Sequence, residues 1–503
     1  MGLLDRAGAR LTATPAEAEI LIVNTCSFID AAKQESVDAI LELARYKTSG
    51  RAKKLIVAGC LVERYRDEIQ KSIPEVDAVV GTGELESILE AVGLAPAAVS
   101  PFNILRANVA GIRPGQESRA GTHKQAAKNG HAEGVGAFRP LNAGQPSTRA
   151  LAPAAASRPE GNLRERQGRF SRDAWQGAAR QLPTYLYDEK SPRLLTTPTA
   201  TAYIKIAEGC DHPCAFCVIP NLRGKFRSRR PESVIAEARQ LVARGTREIT
   251  LIGQDTTCYG EDLGMKDGLA ELLDAVAAIP NLRWLRFLYA YPNRITPRLL
   301  AVIAQHDNIC KYLDLPLQHA SPAVLKRMKR GGSADIFLKT IKKVRAAIPG
   351  VVLRTAFIVG FPGESLWDFE ILEEFVREAK FDWLGVFGYS DEEGSASFAL
   401  DGKVPQRTIE SRRRRLMKLQ QTISKRAKRQ WVGRKLDLLA EGESEETPLL
   451  WEGRTQFHAP EIDGKVYIND FGALDALEAG CFYQAEITEA HDYDVVARIL
   501  SRS

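Results

Sequence analysis

The stretch that decides the fold is Ala202-Tyr-Ile-Lys-Ile-Ala-Glu-Gly-Cys210-Asp-His-Pro-Cys214-Ala-Phe-Cys217. Its first half is an apolar run of strand length, Ala202–Ile206. Its second half spaces three cysteines as CxxxCxxC. Further strand candidates follow at Ile249–Ile252, Leu282–Leu288, Tyr312–Leu317, Val351–Val359 and Trp383–Tyr389, separated by helical stretches. Pro231–Gly245 is the clearest helix, with Val234, Ile235, Ala238, Leu241 and Val242 on one face and Gly245 as its stop. Six βα units predict an incomplete parallel barrel, since a full one needs about eight; periodicity leaves a doubly wound sheet open. In either case the cysteines follow the first strand, at the end where such folds bind ligands.

Three thiolates on one short loop can each hold one iron of a 4Fe–4S cubane, leaving the fourth iron open. An open iron can chelate the amino and carboxylate groups of S-adenosylmethionine, and a reduced cluster can pass one electron to the sulfonium. The competing reading is a zinc site with His212 as fourth ligand. Zinc motifs usually pair their ligands across a spacer, and 3-then-2 spacing after a strand fits the cluster better.

Outward from this centre, residues 1–97 read as a small parallel α/β domain. The apolar runs are Ile20–Val23, Leu55–Val57 and Val76–Val80. A helix after the first should bury Ile29, Val37, Ile40, Leu41 and Leu43. Cys26 and Cys60 each follow a strand's carboxyl end. Residues 98–183 are rich in Gly, Ala, Pro, Arg and Ser and read as a disordered insertion. Residues 101–183 carry 13 Lys/Arg against 5 Asp/Glu, net +8. The expected barrel spans 184–425, and the basic run Arg412–Arg415 near its end reads as a solvated face. From 426 to 503, short alternating runs such as Val466–Ile468 and Tyr483–Ile487 predict a small β-barrel. Residues 431–503 carry 6 Lys/Arg against 15 Asp/Glu, net −9.

The motif with Phe216 before the third cysteine resembles the radical S-adenosylmethionine superfamily. Asn24-Thr-Cys26-Ser-Phe-Ile-Asp-Ala-Ala-Lys-Gln-Glu-Ser36, Ala58-Gly-Cys60-Leu, Gly253-Gln-Asp-Thr-Thr257, Leu315-Pro-Leu-Gln-His-Ala-Ser321 and Gly360-Phe-Pro-Gly-Glu364 resemble the methylthiotransferases. Among these they are most similar to the RimO type, which modifies an aspartate of a small-subunit ribosomal protein. The resemblance covers nearly everything outside 98–183. It implies an N-terminal methylthiotransferase domain, a radical barrel and a C-terminal TRAM domain. It also implies two 4Fe–4S clusters, S-adenosylmethionine, and methylthio transfer to the aspartate β-carbon.

By position, the resemblance implies that Gln254 meets the cofactor's amino group. Gln318, Arg354 and the residues near Gly360 are further cofactor candidates at later strand ends. His319 is a candidate base or a structural hydrogen bonder. Arg227 and Arg229 are candidates to neutralise the cluster or a carboxylate. The N-terminal cluster of the family takes three cysteines, and Cys26 and Cys60 match the second and third; the first is expected upstream of Met1. The chain as written is therefore expected to hold that cluster weakly, to cleave S-adenosylmethionine and to transfer little methylthio group. Cys258, Cys310 and Cys481 read as core residues.

RNA binding needs basic surface, because phosphate neutralisation dominates affinity. An acidic terminal barrel instead favours a basic protein partner. A tRNA methylthiotransferase is thus the second enzyme reading. A non-catalytic RNA-binding protein using the +8 segment is the rival of another class. No apolar stretch reaches the ~18 residues of a membrane helix and no secretory signal is present, which predicts a cytoplasmic protein. Its electron donor and sulfur source are not legible.

Overall fold

The computed structural model describes residues 1–94, 183–447 and 449–503. The insertion expected over 98–183 lies outside the described residues except for residue 183.

In the N-terminal domain, β1 (Ile20–Thr25), β2 (Lys54–Gly59) and β3 (Ala78–Val80) form an all-parallel sheet in that order. Helices Asp30–Ala44 and Cys60–Ser72 cover one face through Val37, Ile40, Leu61, Val62 and Ile69. Helices Gly2–Arg6 and Ser87–Val92 cover the other through Leu4, Ile88 and Leu89. The buried face of Asp30–Ala44 differs from the expected one. It consists of Ala32, Ser36, Val37, Ile40 and Ala44, while Leu41 and Leu43 are half-buried flanks. The small residues let the helix approach the sheet closely, a contact that a search for large apolar side chains misses.

The middle domain begins with β4 (Thr201–Lys205). A short antiparallel pair follows, β5 (Ala207–Glu208) with β6 (Arg227–Ser228). Then come β7 (Glu248–Ile252), β8 (Trp284–Phe287), β9 (Tyr312–Asp314), β10 (Val352–Val359) and β11 (Trp383–Gly388). Strands β4, β7 and β8 pair in parallel, as do β9, β10 and β11. A parallel bridge from Leu285 to Ile309 joins the two sets. The six expected strands are all present, in an open arc with β4 and β11 at its edges. Interleaved helices such as Pro231–Ala243 and Leu366–Ala379 pack outside a continuous core that includes Ile204, Leu251, Leu313, Phe357 and Leu372.

The last domain is a closed five-stranded barrel of β12 (Lys435–Glu443), β13 (Trp451–Thr455), β14 (Val466–Asp470), β15 (Phe482–Ala490) and β16 (Val495–Arg502), in the order β12-β13-β14-β16-β15. It packs against the amino ends of the middle strands, where Trp284, Tyr312, Val352 and Trp383 share one apolar cluster with Leu438, Phe457 and Ile468. A buried charge set reinforces this junction: Glu248 accepts from Arg454 at 2.7 Å and lies 3.4 Å from Arg286. The helix Gln406–Arg429 runs through position 425, where the barrel was expected to end. Its basic run faces solvent at Arg414 and Arg415, as expected, but not at Arg412. Arg412 is buried and donates to Glu364 at 2.9 Å, and Arg415 pairs with buried Glu373. Charge alone does not reveal that acidic partners wait on the barrel. No helix among the described residues is long and apolar enough to cross a membrane.

Candidate active site between two cysteine-bearing edges

The register of the N-terminal sheet pairs Thr25 with Gly59, so the next residues, Cys26 and Cys60, lie side by side at its carboxyl edge. Gly59 has φ +103, and a Cβ there would meet the Thr25 carbonyl at 2.6 Å; only glycine fits this turn. The surrounding motif holds the pair in place. Ser36 Oγ accepts from the Cys26 amide and donates to its carbonyl, both at 3.0 Å, and Ser27 Oγ donates to the Cys60 carbonyl at 2.9 Å.

The barrel cysteines sit on an excursion whose base is the β5–β6 pair. Gly209, at φ +81, lies where a Cβ would strike the Lys225 carbonyl at 2.2 Å. The Cys210 amide donates to Gly224 at 3.2 Å and the Ala215 amide to Met328 at 2.8 Å. Phe216 packs half-buried on the barrel core. Burial pushes the Cys210 thiol up to about 11 and the Cys217 thiol up to about 12. Bare thiolates are therefore disfavoured here, and a cation that takes three sulfurs together would relieve that. Arg330 donates to Cys214 Sγ at 3.5 Å and lies over the Tyr291 ring.

His212 points elsewhere than the zinc reading requires. Its Nε2 is 2.5 Å from Asp255 Oδ2, and its ring stacks on Tyr291 at 4.1 Å. Cys258 Sγ donates to the same carboxylate oxygen at 2.9 Å, so Cys258 serves this polar set as well as the core. Burial works against ionisation of Asp255, but hydrogen bonds from His212, Cys258 and Thr257 hold its carboxyl below the usual range. Cys310 is a core residue, whereas Cys481 is half-exposed beside Arg502 and Glu478.

Of the cofactor candidates, Gln254 stands two residues past β7, near the cysteine loop. Its Nε2 donates to Glu208 Oε1 at 3.0 Å, while its Oε1 is buried without a partner. An acceptor buried in this way suits an incoming ammonium group. Gln318 follows β9 with φ +75, strained for a residue with a side chain. Its backbone is fixed by bonds to Ala356 and Ile358. Arg354 is not at the strand's carboxyl end. It is the third residue of β10, bonded to Asp314 at 2.9 Å and 3.5 Å from Asp463 of the terminal barrel. The strand starts at Val352, so residue 354 falls on the half away from the cysteine loop.

His319 is fully buried, accepts from the Ser321 amide at 3.0 Å, and is pushed down to about 3 by burial. Its Nε2 is buried without a hydrogen-bond partner, 3.8 Å from Glu364. Glu364 accepts from the Gly360 and Phe361 amides at 2.5 and 3.1 Å, which folds the Gly360–Glu364 turn. Arg229 is committed to Glu237 at 2.6 Å, away from the cysteines.

The two edges meet. Cys60 packs on Val218 and Leu222, just past Cys217. Arg223, the last residue of the short helix Ile219–Arg223 that follows the barrel cysteines, donates to Cys60 Sγ at 3.2 Å and lies 3.7 Å from Glu208. Arg223, Glu208 and Arg330 were not singled out from the sequence. For two of them the one signal was neighbourhood, Glu208 being two residues before Cys210 and Arg223 six after Cys217; Arg330, 116 residues from the Cys214 it meets, had none.

Family models match all three parts: the uncharacterized protein family UPF0004 at residues 1–81, the Radical SAM superfamily at 204–376, and the TRAM domain at 432–500. A protein of Koribacter versatilis (strain Ellin345) named ribosomal protein uS12 methylthiotransferase RimO is 60% identical over 503 residues, spanning 99% of this chain and 92% of the relative. The chain belongs to the RimO family of radical methylthiotransferases. RimO proteins of Solibacter usitatus (strain Ellin6076) and Geobacter sulfurreducens (strain ATCC 51573 / DSM 12127 / PCA) are 51% and 40% identical, each over 100% of this chain and over 91% and 94% of the relative. Membership in the radical family implies a 4Fe–4S cluster and S-adenosylmethionine. Cys210, Cys214 and Cys217 suit that group as three soft donors on one loop, beside the unpartnered Gln254 oxygen. The N-terminal edge offers two cysteines among the described residues.

Proposed function

We propose that this RimO-family chain transfers a methylthio group to the β-carbon of an aspartate in the small-subunit ribosomal protein uS12. The observation that carries the reading is the contact of Cys60 with the helix that follows the barrel cysteines. It sets a sulfur-bearing edge against a radical-generating loop, as a reaction joining sulfur to an unactivated carbon requires.

In this reading Cys210, Cys214 and Cys217 hold a cluster, and Cys26 and Cys60 contribute two thiolates to a second. When bound, the barrel cluster supplies the electron that cleaves S-adenosylmethionine. Gln254 would accept from the cofactor's amino group, Gln318 would be a further contact to the cofactor, and Phe216, half-buried on the barrel core, would back the cysteine loop. Arg354 serves the terminal-barrel junction. The parts act as modules over 1–97, 184–425 and 426–503, in the cytoplasm with the ribosome.

The partner is a basic protein. Glu443, Glu445, Glu446, Asp470, Asp475 and Glu489 lie exposed on the terminal barrel, a surface that repels phosphate. The test is an anaerobic incubation of reconstituted chain with uS12 and, separately, with tRNA. A methylthio mass increment on a uS12 aspartate is expected. An increment on tRNA alone would refute the substrate assignment.

A further inference from the structure

The segment after the short helix Pro322–Arg327 is fastened twice to the barrel cysteine loop. The Ala215 amide donates to the Met328 carbonyl at 2.8 Å, and Arg330 Nη1 donates to Cys214 Sγ at 3.5 Å. Between these two contacts Lys329 has φ +52, a left-handed backbone that a residue with a side chain keeps only where its surroundings enforce it. Arg330 itself is buried. Its other terminal nitrogen donates to the Pro316 carbonyl, and its guanidinium lies 4.4 Å from the centre of the Tyr291 ring. His212, bonded to Asp255, stacks on that same ring. Among the described residues no carboxylate lies within ion-pair distance of Arg330. Arg223, which also touches a cysteine sulfur, differs in sharing Glu208.

A buried cation without an anionic partner is costly. The anion that suits this one is the cysteine loop when it carries a cluster, because three thiolates exceed the charge of an oxidised 4Fe–4S core. We infer that Arg330 is the internal counter-charge of the barrel cluster and sets its reduction potential, favouring the form that has taken one electron from an external reductant. This rests on the reading that Cys210, Cys214 and Cys217 hold that cluster. One added electron makes the cluster and its thiolates more negative, and a fixed cation hydrogen-bonded to a ligand sulfur stabilises the more negative state more. Arg330 acts through Cys214 and is a positioning residue.

The test is a redox titration of the reconstituted full-length chain with dithionite, read by the electron paramagnetic resonance of the reduced cluster. A Cys26→Ala, Cys60→Ala background leaves the barrel cluster alone. Arg330→Gln should shift the one-electron equilibrium about tenfold toward the oxidised form, a potential about 59 mV lower. Arg330→Lys keeps the charge and should recover at least half of that fall. Lys326→Gln removes an exposed charge from the preceding helix, which solvent screens, and should leave the potential unchanged. A merely structural role for Arg330 would move the melting temperature and not the potential. An Arg330→Gln potential within about 18 mV of native, about a twofold shift, would overturn the assignment. So would an equal fall in Lys326→Gln or in Arg330→Lys, or failure of both Arg330 variants to retain iron. The underlying reading fails separately, if Cys214→Ala in the same background still gives the reduced-cluster signal.

Discussion

Replacing Gln254 by leucine tests how the cofactor is held. Glu208, which accepts from the Gln254 amide nitrogen at 3.0 Å, is buried, yet Lys205 and then Arg223 hold its carboxyl below the usual range. It is ionised at neutral pH and can only accept. The amide orientation is thereby fixed, with nitrogen toward Glu208 and oxygen toward the cofactor space. That oxygen is buried and unpartnered. A hydrogen bond to a charged donor contributes about 1.5–3 kcal/mol, which is about 10- to 150-fold in affinity at ~1.4 kcal/mol per tenfold. Leucine is close in size and removes the acceptor without opening a cavity. Glu208 keeps Lys205 and Arg223 on its other oxygen, so the local fold should hold. Calorimetric titration of the cluster-loaded chain with S-adenosylmethionine should give a Kd raised by that factor, at unchanged melting temperature. A Kd within about twofold of native would refute the assignment of this oxygen to the amino group.

Three other outcomes follow from particular side chains. Lys428 is fully buried against Trp383 and Trp431, 3.4 Å and 4.5 Å from the ring centres, and burial pushes its amine down from 10.5 to about 8. A lowered amine makes the folded state release a proton that the unfolded chain keeps, so native stability should rise as pH climbs from about 8 to 10.5 and be lowest below 8. That depression corresponds to about 3 kcal/mol, offset by about 2 kcal/mol of cation–π attraction. Lys428→Met should therefore gain about 1 kcal/mol at pH 7 in urea denaturation and lose the alkaline rise. Gln318→Gly relieves a left-handed backbone by about 1 kcal/mol; melting should not fall while cofactor affinity does, and unchanged affinity would remove Gln318 from the cofactor site. Arg454→Met leaves Glu248 short of one buried partner and should cost about 3 kcal/mol by the same denaturation measurement; a loss under about 1 kcal/mol would mean that Arg286 and Thr201 suffice.

Much of this fold is legible in the sequence because its signals are local. Each of the six expected barrel strands is an apolar run bounded by breakers, and each forms. The sequence pattern puts Cys26 and Cys60 each just after a strand, and the Thr25–Gly59 register brings them together. What stayed hidden depends on partners distant in the chain. Arg412 looked solvated because Glu364 lies 48 residues away. Arg223 looked ordinary because the sulfur it touches belongs to another domain, 163 residues earlier. Arg354 is not at a strand end even by the expected run, Val351–Val359, which puts it near the amino end as the structure does; the resemblance, not the run, suggests the cofactor role. His212 resembled a metal ligand until Asp255 and Tyr291 claimed its ring.

The most direct measurement is product analysis of one anaerobic reaction containing the reconstituted chain, S-adenosylmethionine, a reductant, sulfide, uS12 and tRNA, run beside the Cys214→Ala variant. The native chain should form 5′-deoxyadenosine and place a methylthio group, at whatever yield, on a uS12 aspartate and not on tRNA, and the variant should do neither. Formation of 5′-deoxyadenosine by Cys214→Ala, or methylthiolated tRNA beside unmodified uS12, would contradict the account.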